Sequence, residues 1–157
     1  MKLPQTRTVA ILAEQGFDDE DLSRVLKEFK KAGIIPDIVS SALGVIEGTG
    51  GTEIEVGNTL QTVDSVLYDA VYIPGGQESI ERLQLHKAAA DFINEALGHY
   101  KAIGAAGEGV DLLLSAAGSH AAAQPGIITS RDDKSKDDFG KILVEAIGEH
   151  RHWDRQV

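Results

Sequence analysis

The apolar pattern changes period twice between residues 6 and 40, and no other feature of the chain restricts its fold as strongly. TRTVAILA (6–13) is a short β-branched run of strand character. From Asp18 to Gly33 the apolar positions Leu22, Val25, Leu26 and Phe29 recur at i, i+3, i+4 and i+7, one face of a helix. Asp18, Asp19, Glu20 and Asp21 fill the first turn of that helix and Gly33 follows its end. IIPDIVS (34–40) returns to strand character. Strand, helix and strand in this order form a βαβ unit, which predicts a parallel sheet with a right-handed crossover.

The remainder of the chain extends that unit. Between Ala42 and Leu60, two alternating stretches flank Gly48-Thr49-Gly50-Gly51, which predicts a β-hairpin excursion at about 42–60. DAVYIPGG (69–76) is a buried strand ending in a sharp turn, followed by helical pattern over Ser79–Leu83 and Ala88–Tyr100. KAIGAAG (101–107) predicts a strand, Val110–Ala117 a helix and GIITS (126–130) a last short strand. Phe139, Ile142, Leu143, Ala146 and Ile147 then share one face of a C-terminal helix. The expected fold is a single α/β domain over 1–157, a flavodoxin-like doubly wound sandwich with a mostly parallel central sheet and helices on both faces.

Composition narrows the functions open to such a domain. Lys+Arg of 15 against Asp+Glu of 25 gives a formal charge of -10, which repels nucleic-acid phosphates and anionic lipid, so neither is expected as a partner. No apolar run approaches the roughly 18–20 residues that span a bilayer, and the first residues lack the apolar stretch of a signal peptide. A soluble protein is expected, cytoplasmic or secreted. With no cysteine, the chain has no thiol nucleophile, disulfide or thiolate metal site. Its one methionine is Met1, so the most oxidisable side chains are missing from the interior. That suits oxidising surroundings and is equally a result of an Ala/Gly-rich composition.

Ligands of doubly wound sheets bind outside the carboxyl ends of the strands, where Glu14–Glu20, Pro74–Gln77 and Gly104–Gly109 are expected to converge. The amides of Gly75-Gly76 and those around Glu108 are suited to an oxyanion hole, although a Pro-Gly-Gly stretch also serves as a plain tight turn. Glu20 is either a buried acid facing the 107 turn or one of four solvated acids favourable to the helix dipole. GAAGEG lacks the G-x-G-x-x-G spacing of a dinucleotide site. His86, His99, His120, His150 and His152 are scattered, and His150 and His152 do not share a helix face, so no metal site is expected. Ser115 and Ser119 lie on or after a helix, away from a strained elbow.

Together VAILAEQGFDDEDL, DAVYIPGG, IGAAGEGVDLL and IITSRDDKSKDDF resemble the ThiJ/PfpI superfamily, flavodoxin-like relatives of class I glutamine amidotransferases. In that family the elbow reads cysteine-histidine-glycine and a first-turn glutamate hydrogen-bonds the cysteine. The resemblance places the acid on Glu20, the oxyanion turn on Gly75 and Gly76, and the nucleophile position on Gly107, with Glu108 in place of the histidine. It therefore implies a silent elbow, since no thiol is present for the glyoxalase, deglycase and peptidase reactions associated with the family. The family's further strand and helix before the final strand are also reduced here to SHAAAQP.

Within the superfamily, the text from ALGVIEGTGG to ESIERL and INEALGHYKAIGAAGEGVDLL resembles the C-terminal domain of large-subunit catalases. This implies a piece of a longer hydrogen-peroxide-degrading enzyme, with haem in the preceding core and no cofactor, catalytic residue or metal ligand in this chain. The core domain of the same polypeptide and the parent tetramer are then the expected partners. The expected role is to stabilise the parent and, in isolation, to hold unfolded client proteins as a chaperone. A client surface is expected on Ala116–Ala123 or Trp153, although a terminal aromatic more often docks on its own domain. Two alternatives remain: a residual hydrolase or glyoxalase-like enzyme using Glu20 or Glu108 as base, and a small-ligand sensor at the space left by Gly107.

Overall fold

The computed structural model describes residues 7–130 and 133–149. The chain runs β1 (Thr8–Leu12), α1 (Asp19–Ala32), β2 (Ile35–Ser40), β3 (Gly44–Glu47), β4 (Glu53–Val56), β5 (Asn58–Thr59) and β6 (Ala70–Ile73). It continues with α2 (Gln77–Gln84), α3 (Lys87–Gly98), β7 (Ala102–Ala106), α4 (Gly109–Ala117), β8 (Ile127–Ser130) and α5 (Asp133–Gly148). The main sheet has the order β5-β2-β1-β6-β7-β8, and every pairing in it is parallel. Chain order thus reverses between β1 and β6, the switch point at which flavodoxin-like sheets open a crevice.

Strand alternation divides the core into two layers. Ala10 and Leu12 of β1, Val71 and Ile73 of β6, and Ile103 and Ala105 of β7 face α2, α3 and α4. Val9, Ile11, Tyr72 and Ala106 face the opposite way, toward α1 and α5. Helix α1 buries Leu22, Val25 and Phe29 on that side, each contributing about 1.5–3 kcal/mol relative to exposure. Its N-cap is Asp18, whose side chain accepts the Asp21 amide at 2.9 Å.

The expected βαβ start, the later strands and helices, and the hairpin are all present, with one difference in the hairpin. Only β3 and β4 form the antiparallel pair, while β5, inside the stretch expected as hairpin, joins the main sheet beside β2 in parallel. The hairpin tip folds over the β1–α1 loop, where Gly16 donates to the Glu47 carbonyl at 2.8 Å and Thr49 to the Phe17 carbonyl at 2.9 Å. Thr52 adds its amide and hydroxyl to Asp19 Oδ2 at 3.2 and 2.8 Å. His150, His152 and Trp153 lie outside the described residues. Among the described residues, no helix is long and apolar enough to cross a membrane.

Candidate functional site

The three expected turns do meet beyond the carboxyl ends of β1, β6 and β7. Asp18 donates its amide to the Gly75 carbonyl at 2.8 Å, which ties the first turn of α1 to the turn after β6. The elbow after β7 is fixed from its other side, where the Gly107 amide meets the Ser130 carbonyl at 2.7 Å. Gly107 has φ 52, the left-handed conformation that a strained strand-to-helix elbow requires. A Cβ built there would lie 3.2 Å from Asp21 Oδ2 and 3.5 Å from Gly75 Cα. The position therefore has the left-handed backbone of a strand-to-helix elbow, with Asp21 close to any Cβ placed there.

The acid of the site is Asp21 instead of Glu20. Glu20 points outward, with its side chain 76% exposed and its carboxylate 3.2 Å from Arg24 one helical turn later. Asp21 is buried, 4% exposed, and its Oδ2 accepts the Gly75 amide at 3.1 Å. Helical phase explains the difference. Asp21 lies four residues before Val25 and eight before Phe29, on the stripe that packs against the sheet, whereas Glu20 shares a face with Arg24. The same spacing was readable in the sequence and identifies the inward acid.

Of the expected oxyanion donors, the Gly75 and Gly76 amides are already engaged. Gly75 is held by Asp21, and the Gly76 amide donates to Glu108 Oε1 at 2.8 Å. Glu108 thus bends back over the turn. Gly76 has φ 112, and a Cβ there would fall 2.3 Å from the Gly16 carbonyl oxygen, so this turn tolerates no side chain. Below it, Tyr72 donates its hydroxyl to the Asp21 carbonyl at 2.8 Å and its ring tilts against Phe139. Burial, helped by the charges of Asp21 and Asp18, raises the Tyr72 hydroxyl well above its ordinary value and keeps it a donor.

The cavity beside this cluster, lined by Asp21, Arg24, Val25, Tyr72, Ala106, Ser130 and Phe139, holds about 10 Å³. That is near the lower limit for a single water molecule. A second buried acid, Glu14, lies at the end of β1 away from the elbow. Its Oε1 accepts the Ser40 hydroxyl and the Ser41 amide, both at 2.8 Å, and its own amide donates to Ser79 Oγ at 2.8 Å. Burial pushes this carboxyl upward, but the bonds from Ser41 and Ser40 and the field of His86 outweigh it and hold Glu14 below its ordinary value. Sequence reasoning grouped Glu14 with the site as part of a turn and did not anticipate this cluster of serines.

No group of three His, Cys, Asp or Glu side chains among the described residues is arranged to hold a metal ion. His86 and His99 cap the two ends of α3, and His120 lies in the 3-10 turn after α4. The small-residue segment expected as a bare client surface is partly covered, with Ser119, His120 and Ala123 exposed. Residues 119–123 form a 3-10 turn, Ala121 is fully buried, and Ala116 and Ala117 pack against the core. Ser115 binds the Leu112 carbonyl at 3.1 Å, an internal helix contact far from the elbow.

The family described as the C-terminal domain found in long catalases matches residues 5–157. The chain is similar to Catalase-2 of Bacillus subtilis, 46% identical over 157 residues that cover 100% of this chain and 22% of that protein. The catalase of Alkalihalophilus pseudofirmus is 36% identical over 155 residues, again 22% of its own length. The chain thus spans about a fifth of the curated relatives it matches. In fold it is similar to a ThiJ/PfpI domain protein from Brachyspira murdochii, with a TM-score of 0.79 at 20% identity, covering 95% of this chain and 99% of that one.

Proposed function

Because this chain belongs to the family of C-terminal domains found in long catalases, we propose that it is a catalytically silent part of a longer haem polypeptide that degrades hydrogen peroxide. In this reading its role is structural: a folded unit that stabilises the parent enzyme, whose haem and peroxide chemistry reside in the preceding core. The observation that carries the silent assignment is the occupancy of the elbow. Position 107 offers no nucleophilic atom, and the Gly75 and Gly76 amides are spent on Asp21 and Glu108. An oxyanion stabiliser acts only when its donors are free to meet charge developing on a substrate. A general base also needs a closed pocket, whereas Glu20 is exposed and the adjoining cavity is about 10 Å³.

The test is to capture the native polypeptide from its source cells with an antibody against this chain, then measure its mass and visible absorbance. A mass far above 16.7 kDa together with a haem Soret band is expected. A free polypeptide of 16.7 kDa without haem overturns the assignment. Holding of unfolded clients by the isolated chain belongs to the same reading and rests on its exposed apolar side chains, among them Leu43, Val45 and Leu85. It is checked by suppression of heat-induced aggregation at near-stoichiometric ratio, with protection no better than inert albumin counting against it.

A further inference from the structure

At the amino end of the sheet, opposite the elbow, the structure leaves large apolar side chains in water around the point where the chain comes in. Ile35 opens β2 and is 59% exposed, while Val66 and Leu67, in the turn before β6, are 65% and 62% exposed. These are brought together by the sheet. Ile35 pairs in register with Thr8 and donates its amide to the Arg7 carbonyl at 3.0 Å. On the other side of β1, the Asp69 amide meets the Thr8 carbonyl at 2.8 Å and the Thr8 amide meets Asp69 Oδ2 at 2.8 Å. Ile35 and Leu67 therefore flank Arg7 and Thr8 within about two strand spacings, roughly 10 Å.

This surface is held from behind. Lys101 is 1% exposed and its Nζ donates to the Ser65 carbonyl at 2.6 Å, which anchors the turn that presents Val66 and Leu67. Tyr68 donates its hydroxyl to Asp37 Oδ2 at 2.5 Å and fixes the end of the same turn to β2. The outward apolar side chains thus stand on a rigid base, which is how an interface is built when little ordering remains to be done on contact. Arg7 Nε, buried at the same place, has no hydrogen-bond partner among the described residues.

We infer that this face, Ile35, Val66 and Leu67 around Arg7, is where the domain docks on the preceding core of its own polypeptide. The inference rests on the reading of the chain as the C-terminal domain of a longer protein. In the long relatives about four fifths of the polypeptide lies outside the matched region, since the match covers 22% of each. For a C-terminal domain that length leads in at the amino end of β1. The face nearest the incoming chain is therefore held close to the core by covalent connection, at a high effective concentration.

Hydroxyl-radical footprinting by radiolysis of the haem polypeptide captured from its cells, beside the 157-residue chain alone, tests this. Labelling of Ile35, Val66 and Leu67 is expected to fall about fivefold or more in the long polypeptide. Leu85 and Leu43, 82% and 69% exposed in this structure, are expected to keep their labelling. Undiminished labelling of the three residues in a long haem polypeptide overturns the docking face while leaving the proposed function intact. A short polypeptide without haem overturns both. Protection already present in the isolated chain and rising with its concentration assigns the face to a second copy, and equal protection at all five residues marks general shielding; either overturns the inference. As a second readout, Ile35→Glu with Leu67→Glu is expected to leave the unfolding midpoint of the 157-residue chain unchanged. In the long polypeptide it is expected to speed tryptic release of the domain about tenfold, and release at the unaltered rate counts against docking here.

Discussion

The two ends of the central sheet treat exposed groups in opposite ways. At the carboxyl end, where related architectures carry out chemistry, the chain turns its own acids inward: Asp21 takes the Gly75 amide and Glu108 takes the Gly76 amide. At the amino end it leaves Ile35, Val66 and Leu67 facing water. The first end spends the Gly75 and Gly76 amides on its own acids beside a cavity of about 10 Å³, while the second offers unspent apolar surface. In this chain the fold's inherited position for a site does not coincide with its available surface.

The sharpest way to break the contrast is at Gly76. Gly76→Ala places a methyl group 2.3 Å from the Gly16 carbonyl oxygen at φ 112. A loss of about 3 kcal/mol or more is expected from backbone strain and overpacking together, read as a lower midpoint in urea unfolding. Next comes a paired measurement in the first turn of α1. Asp21→Ala leaves the buried Gly75 amide without its acceptor and is expected to cost about 2 kcal/mol, while Glu20→Ala stays within about 0.5 kcal/mol. Equal costs at the two positions would show that the inward acid had been misassigned.

A smaller effect is expected when a thiol is placed at the elbow. Gly107→Cys should fold, at a cost of about 1–2 kcal/mol for a side chain at φ 52. Its turnover of methylglyoxal should remain at the level of the blank, because the neighbouring amides are already engaged. Catalysis by this single variant would show that Asp21 and Glu108 yield the turn to a substrate, and would undo the contrast drawn above.

The smallest effect concerns Glu14 and pH. Its folded carboxyl titrates below the ordinary 4.5, so its contribution to stability is full above that value and is lost as pH falls through the folded pKa. In Glu14→Gln the acid-induced fall in stability should be shallower, by a fraction of a kcal/mol to about 1 kcal/mol. Urea midpoints of the two proteins measured from pH 6 down to pH 3 check it. Parallel curves would mean that the bonds from Ser40 and Ser41 serve the neutral side chain equally well.

Most of the fold could be read from periodicity because burial imposes it directly. The alternation of Val9 and Ile11 against Ala10 and Leu12 on β1, and the spacing of Leu22, Val25 and Phe29, follow the two faces that must be covered. The convergence of the three turns followed from topology alone. What periodicity could not supply was which polar side chains turn inward. Glu20 fitted the family pattern, yet Asp21 occupies the buried stripe, a distinction of one helical residue that resemblance blurs and helical phase resolves. The role of Lys101 was hidden because a lysine opening a strand gives no sign that its ammonium will meet a carbonyl 36 residues earlier. The end of the hairpin escaped for a related reason: Asn58 and Thr59 are two residues, too short to carry a period.

The clasp of the β3–β4 tip on Asp19 bears on the order in which the chain can reach this structure. Asp19 and Thr52 are 33 residues apart in sequence, and their contacts, like those of Asp21 with Tyr72 and Gly75, tie the first turn of α1 to distant parts of the chain. Helix α1 can therefore form early, while its leading turn waits for the closure of a loop containing β2 and the hairpin. In refolding, protection of the Thr52 amide should lag behind that of the α1 interior, making the clasp one of the last steps, after the sheet beneath it has assembled.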